Sequence, residues 1–338
     1  MSTTDQLVPV GKLYEKLPDG RWAFFFDSSA IRSFTDCEAY FELKHIRNVG
    51  LRGRAWKRDV GSWWSSTLEL YYKAYRANDG NVSLSDMMEF AVHAWDEHKM
   101  DEFAATQPAT YNEFGGRKGS ILMAGDYYHW SMPIDSRSWK KVISVEEGAG
   151  RLREIHVGEN GSVVVYYIVK PDLYVLNSSD LIEPVDHKTK DYINARHIHS
   201  FKPHQQLQGY IVAAQELANE LGIKTVVDRC TVNVAARNVP GPRAKQQERF
   251  TRFPVYYSQY ELAEWRKRTV DTATRLRYCI ENDIWLWNDS SCHKYSGCVY
   301  RPIHSASPDS REVIIKSSFE TLAPWTPYKV EGKEDETE

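Results

Sequence analysis

Between residues 163 and 190 the chain spells out a hairpin, and few other local structures are open to it. The run Val163-Val164-Val165-Tyr166-Tyr167-Ile168-Val169 is β-branched or aromatic at every position, the composition of a pleated strand, and a strand is expected over 163–176. Asn177-Ser178-Ser179-Asp180 supplies turn chemistry, and the return strand is expected over 182–189. Side chains alternate across a strand, so Asp186 and Lys188 must share a face. The hairpin brings both back to the level of Asp172. Two carboxylates and one ammonium group are therefore expected to converge beside the same small volume of solvent.

Such a cluster has a chemical use. Hard divalent cations such as magnesium take a few carboxylate oxygens together with water and phosphate, and a lysine beside a metal-bound water can hold or polarise it as a nucleophile toward a phosphodiester. Taken alone, Asp186 and Lys188 also fit an ordinary solvated ion pair at a strand end. A further pair follows: Gln206, Tyr210, Ala213, Leu217 and Leu221 fall on one helical stripe. Gln206 and Tyr210, one turn apart, can present an amide and a phenol to the same object, or form a half-buried polar pair at a helix start.

In order and spacing, Asp172, a thirteen-residue spacer, Asp186-His187-Lys188 and then Gln206-Leu207-Gln208-Gly209-Tyr210 resemble the PD-(D/E)XK nucleases. Within them the chain is similar to the RecB-like branch found in recombination, CRISPR adaptation and bacteriophage exonucleases, which carries Gln-x-x-x-Tyr on the next helix. The resemblance runs from about Ala30 to His304 as an ordered series of short motifs. It implies that Asp172 and Asp186 bind magnesium or manganese, with the His187 backbone carbonyl as a further ligand. Lys188 would orient the attacking water, Lys190 would contact phosphate, and Gln206 and Tyr210 would brace the catalytic strand or touch the DNA backbone. The branch usually adds a histidine ligand from an early helix, in a Gly-x-x-x-His arrangement. Here Gly61-Ser62-Trp63-Trp64-Ser65 puts a serine in that place. Glu69, one turn further on, can reach the same face, although a helical glutamate is more often solvated.

The five cysteines are Cys37, Cys230, Cys279, Cys292 and Cys298. With no signal peptide or long apolar span in view, the chain is expected in the cytoplasm of a bacterial host cell, away from membranes and with reduced thiols. Many RecB-like nucleases clamp their ends together with an iron–sulfur cluster held by one early and three late cysteines. The resemblance implies such a clamp from Cys37, Cys292 and Cys298, with His304 in the last position. Three thiolates and an imidazole also suit tetrahedral zinc, whereas clusters prefer four thiolates. Cys230, in the strand-like run Val226–Val232, reads as a core residue, and Cys279 as core or as a substitute ligand.

With 338 residues, 42% of them hydrophobic, the chain can bury a substantial core. A net charge of −3 leaves no global basic footprint, so any nucleic-acid contact has to be local. Lys44, Arg47, Arg52, Arg54, Lys57 and Arg58 make one basic stretch. Arg237, Arg243, Lys245 and Arg249 make another around Pro240-Gly241-Pro242, from which Arg243 and Lys245 are candidate phosphate contacts, with a solvated surface as the alternative.

Helices are expected from Ser28 or Ser29 to about His45, over 56–77 with Trp64, Leu68, Tyr71 and Tyr75 on one stripe, and over 85–103 and 117–130. The aromatic residues of this region read as core rather than as a base-stacking platform. Further strands are expected at 142–147, 151–157, 225–236 and 248–256. A long helix should start at Ser258, whose Ser258-x-x-Glu261 is a capping box, with Leu262, Trp265, Thr269, Leu276 and Ile280 on its apolar stripe.

The expected fold is α/β, a central mixed sheet flanked by helices as in the restriction-endonuclease-like core, with a helical insertion. Residues 1–26 form a lead-in and 27–328 one nuclease domain, comprising the insertion at about 80–135, a catalytic core at about 140–257, and the C-terminal helix and clamp at 258–304. Residues 329–338 form an acidic tail too poor in apolar residues to order. The resemblance implies a metal-dependent DNA exonuclease of phage or bacterial recombination and repair, with DNA as substrate and a recombination or single-strand-binding protein as candidate partner. Ser65 and His304 motivate the alternative, a DNA-binding or assembly subunit that keeps the nuclease fold without cutting. A serine hydrolase finds no support, because no Gly-x-Ser-x-Gly element is present.

Overall fold

The hairpin forms, but its first strand is shorter than its composition implies. In the computed structural model, which describes residues 13–53, 55–145, 153–193, 198–237, 249–293 and 297–324, the apolar run breaks after Val169 and resumes at Leu173. The two pieces belong to different sheets. Pro171 stands in the break, and a residue without an N–H cannot continue a central ladder. The break coincides with a division of the chain into two compact units, residues 1–53, 148–169 and 260–338 against residues 54–147 and 170–259.

The first unit holds strands β1 (Tyr14–Lys16), β2 (Trp22–Phe26), β3 (Val49–Leu51), β5 (Arg153–Asn160), β6 (Val163–Val169) and β11 (Phe319–Thr321). Four of them form a sheet in the order β1-β2-β6-β5, and β3 pairs with β11. The described part of the lead-in, from residue 13, is thus a hairpin, and it adds to this sheet because β2 runs parallel to β6. The first helix, Ser28–Asp36, is capped not by a serine but by Asp27, whose Oδ1 accepts from the Ala30 amide at 2.6 Å, satisfying an otherwise orphaned N–H. It ends at Cys37 instead of continuing to His45, and a short helix and a π-helical turn, Glu42–Ile46, complete the segment. The long helix Gln259–Asn282 begins directly after Ser258. Its Trp265 packs edge-on against Tyr167 of β6, and Arg266 donates to the His156 carbonyl of β5.

The second unit carries β4 (Trp139–Val145), β7 (Leu173–Asn177), β8 (Ile182–Lys190), β9 (Arg229–Ala236) and β10 (Phe250–Tyr256) in the order β10-β9-β8-β7-β4. The sheet is mixed: β8 and β9 are parallel, joined through the Gln205–Glu220 helix, and the other pairs are antiparallel. Helices Trp56–Ala77, Leu84–Glu97 and Gly116–Ser138 build the helical part. The Leu84 helix starts from a capping box of Ser83 and Asp86 and stops before the expected 103, where Lys99 takes a positive φ of 48°. Trp56, Trp63, Trp64, Trp95, Phe103 and Phe114 are all buried in one core with Tyr71, Tyr72 and Tyr127. These rings are packing, not an exposed stacking surface. No described helix is long and apolar enough to cross a membrane.

Candidate active site

Strands β7 and β8 pair in the register Leu173 with Val185, so the next step of the ladder sets Asp172 opposite Asp186. Asp172 is tied down there, since the backbone N–H of His187 donates to its Oδ2. Asp186 is 1% exposed, which corrects the expectation of a solvent-facing carboxylate. Its Oδ1 accepts from Lys188 Nζ at 2.8 Å. Its Oδ2 is buried and has no hydrogen-bond partner among the described residues. Burial pushes the Asp186 carboxyl up, against the pull of Lys188 and, further off, Lys190. For Lys188 burial acts to lower the ammonium pKa, but Asp186 and Asp172 reverse the direction and hold the proton on nitrogen.

Gln206 and Tyr210 sit on the first turns of the Gln205–Glu220 helix. Gln206 Nε2 donates to the Tyr210 hydroxyl at 2.6 Å, and that hydroxyl donates to the Lys170 carbonyl at 2.9 Å. Lys170 is two residues from Asp172, so this clasp fixes the backbone that carries the first carboxylate. Burial, then Asp186 and Asp172, push the buried Tyr210 phenol well above its ordinary value. Lys190 closes β8 with its Nζ 5.8 Å from the Phe201 ring centroid. Glu69 is paired with Lys73 four residues on, at 2.7 Å. Arg54, Arg243 and Lys245 lie outside the described residues.

Two carboxylates and a main-chain carbonyl fit what magnesium or manganese asks of a protein, because such ions retain water and take only one or two carboxylates beside substrate phosphates. The orphaned Oδ2 of Asp186 is the acceptor such an ion would satisfy. The expected terminal clamp is different. The Cys298 N–H donates to the Cys292 carbonyl at 2.9 Å, and Ser291 Oγ donates at 2.7 Å to the carbonyl of Asp36, the residue before Cys37, so the three cysteines share one neighbourhood, and burial raises the Cys298 thiol pKa. Cys37 Sγ points at the Leu286 carbonyl, while the His304 ring stacks on Trp287 and is hydrogen-bonded to the Ala39 backbone. Among the described residues no three His, Cys, Asp or Glu side chains are arranged to hold a metal. As they stand, Cys37, Cys292, Cys298 and His304 do not form a coordination set. Cys230 is a buried core residue of β9, and Cys279 is buried with its thiol bonded to Glu38, burial and that carboxylate pushing it up to about 12.

The face of β8 opposite Asp186 holds what the sequence does not announce. The His187 ring lies parallel to Tyr72, with centroids 5.5 Å apart. Its Nδ1 is 3.0 Å from Asn233 Nδ2 on β9. The same amide nitrogen donates to Tyr127 Oη at 2.5 Å, Tyr127 and Tyr72 hydroxyls meet at 2.8 Å, and Tyr72 donates to Asp135 at 3.0 Å. Arg252 closes the series on Asp135 at 2.6 Å. The one signal in the sequence is Asn233, a polar residue inside the apolar strand Val232-Asn233-Val234.

Residues 28–303 match the family model of the PD-(D/E)XK nuclease superfamily. Comparison with curated proteins gives no match.

Proposed function

Because the chain belongs to the PD-(D/E)XK nuclease superfamily, we propose that it is a divalent-metal-dependent deoxyribonuclease of the RecB-like kind. In this reading it acts as an exonuclease in phage or bacterial DNA recombination and repair, inside a bacterial cell, with residues 27–328 serving as one nuclease domain. The observation that carries the proposal is the buried Asp186 Oδ2, unpartnered among the described residues, next to a Lys188 ammonium and across the ladder from Asp172. Asp172, Asp186 and the His187 carbonyl would hold magnesium or manganese, which when bound supplies Lewis acidity at the phosphate and a more acidic water.

The protein's own groups do the rest. Lys188, kept protonated by two carboxylates, orients the attacking water and offsets the charge that develops on the phosphoryl oxygens. The clasp from Gln206 through Tyr210 to the Lys170 carbonyl keeps Asp172 at the height of Asp186. Lys190, two residues beyond Lys188 on the same face, is placed to take a neighbouring phosphate. The gathered thiols of Cys37, Cys292 and Cys298 support a structural iron–sulfur or zinc centre, which His304 would complete on turning from Ala39. Iron, zinc and sulfide analysis of anaerobically purified protein tests that part. Absence of all three, with Cys298→Ser melting like the parent, refutes it.

End-labelled linear DNA and covalently closed circular DNA, incubated with the protein in magnesium, manganese or chelator, test the main reading. Linear DNA should shorten from its ends in either metal, circles should survive, and chelator should stop the reaction. No cleavage in either metal would favour the second reading, a DNA-binding or assembly subunit. That reading draws on Ser65 standing where a histidine ligand is usual and on the engagement of Glu69 with Lys73.

A further inference from the structure

We propose that the directional hydrogen-bond series Asn233–Tyr127–Tyr72–Asp135 fixes the His187 imidazole from behind β8, and so positions the Asp186-His187-Lys188 backbone for metal and substrate. The inference deepens the nuclease reading and rests on it. None of these side chains, nor Arg252 that closes the series on Asp135, touches the metal face; they are positioning residues.

The direction of each bond follows from the chemistry of the groups. Asp135 accepts from Arg252 on one oxygen and from the Tyr72 hydroxyl on the other. Tyr72 has thereby used its only proton, so the Tyr127 hydroxyl must donate to Tyr72. Tyr127 then has only acceptor capacity left, which Asn233 Nδ2 fills with one N–H. The second N–H of that amide points to His187 Nδ1. Nδ1 is therefore an acceptor, and the neutral ring carries its proton on Nε2. Every hydroxyl in the series has one orientation, and the tautomer of His187 is set by a carboxylate on the Gly116–Ser138 helix that it does not touch.

The series also spans the structure that has to be held. Its members come from the Trp56–Ala77 helix, the Gly116–Ser138 helix, β8, β9 and β10, and Asp135, Tyr72, Tyr127 and Asn233 are buried. Each bond of the series joins desolvated groups, so breaking one strands a buried donor or acceptor and the linked bonds resist rotation, although His187 Nε2 and Asn233 Oδ1 are buried with no partner among the described residues. The His187 ring is held on its face by Tyr72 and at its edge by Asn233. With the ring fixed, the peptide of His187 is fixed too, and its N–H is the group that seats Asp172. One backbone unit thus links the network to both carboxylates.

Tyr127→Phe removes a single oxygen from the middle of the series and is the mildest break; Asn233→Leu and Tyr72→Phe are independent ones. Amide hydrogen exchange at Asp186–Lys188 and the nitrogen-15 shifts of the His187 ring are measured on each variant without metal, followed by kcat, KM for DNA and half-saturation by manganese. Exchange on β8 should rise by roughly tenfold or more, and the ring should lose its single tautomer. For an active parent, kcat should fall by roughly tenfold to a hundredfold with KM for DNA nearly unchanged. Tyr127→Phe combined with Asn233→Leu should lose no more than the worse single variant, since both break one series. If the parent itself proves inert on DNA while β8 exchange rises in the variants, the nuclease reading falls and the positioning series stands. Unchanged exchange and tautomer in all three variants overturn the inference, as does faster exchange with undiminished kcat in an active protein.

Discussion

Lys188→Met asks the most searching question of the site, because it removes a charge while keeping a stem of similar length. In the metal-free protein the Lys188 ammonium is 2.8 Å from Asp186 Oδ1, and Asp186 is 1% exposed with its second oxygen unpartnered among the described residues. At an effective dielectric constant of 20, two unit charges at that separation attract by roughly 6 kcal/mol. Part of that gain offsets the cost of taking both groups out of water, and breaking one side of a buried pair costs about 3–5 kcal/mol because the other charge is left stranded. Lys188→Met should therefore lose about 3–5 kcal/mol in chelator. Asp186→Asn combined with Lys188→Met should recover most of the loss, since no charge then stays behind. Urea unfolding followed by far-ultraviolet circular dichroism reads both. A Lys188→Met protein as stable as its parent, or a double variant no better than the single one, would refute the buried-pair account.

Three further outcomes are expected. Asp172→Ala and Asp186→Ala should each abolish metal-dependent cleavage, and persistence of parental cleavage in Asp186→Ala with magnesium would remove that residue from the site. Lys188→Ala should bind DNA nearly as well as the parent, measured by anisotropy, but cut about a hundredfold to a thousandfold more slowly; equal losses in binding and rate would make it a phosphate anchor. The last concerns His45, buried beside Phe41 with its Nε2 3.2 Å from Ser33 Oγ, where burial and then the Lys44 charge push the imidazole down to about 4. The unfolded chain takes up that proton near pH 6.5 and the folded one only near 4. Stability is thus full above 6.5 and falls as pH drops, by roughly 3 kcal/mol across the window. His45→Gln should flatten that part of the stability–pH curve, and an unchanged slope would contradict the assignment.

The hairpin was legible because β-branched runs and an Asn-Ser-Ser-Asp turn are local signals, and the same alternation put Asp186 and Lys188 on one face. The break at Pro171 was also written in the sequence, in a residue without an N–H, but the apolar letters on either side outweighed it. Burial of Asp186 was not legible. It depends on what covers the strand, and nothing in Asp-His-Lys distinguishes a wet ion pair from a dry one. The Asp27 cap was hidden behind two serines for the opposite reason, since aspartate and serine serve equally well and only the entry angle of the chain decides. The series behind His187 was the hardest to foresee, for its partners are far apart in sequence and only Asn233 breaks an apolar pattern.

The nest of indoles in the helical part has an optical consequence. Trp63 lies 5.5 Å from Trp64 and 5.7 Å from Trp95, and Trp56 is 6.3 Å from Trp95. Rings this close share excitation, so the nest should show a coupled near-ultraviolet spectrum and blue-shifted emission that vanish together when its packing loosens. Trp287, in the other unit and 53% exposed, should emit to the red and be open to iodide. Quenching would silence that indole and leave the nest alight together with Trp265, which is buried in the same unit as Trp287.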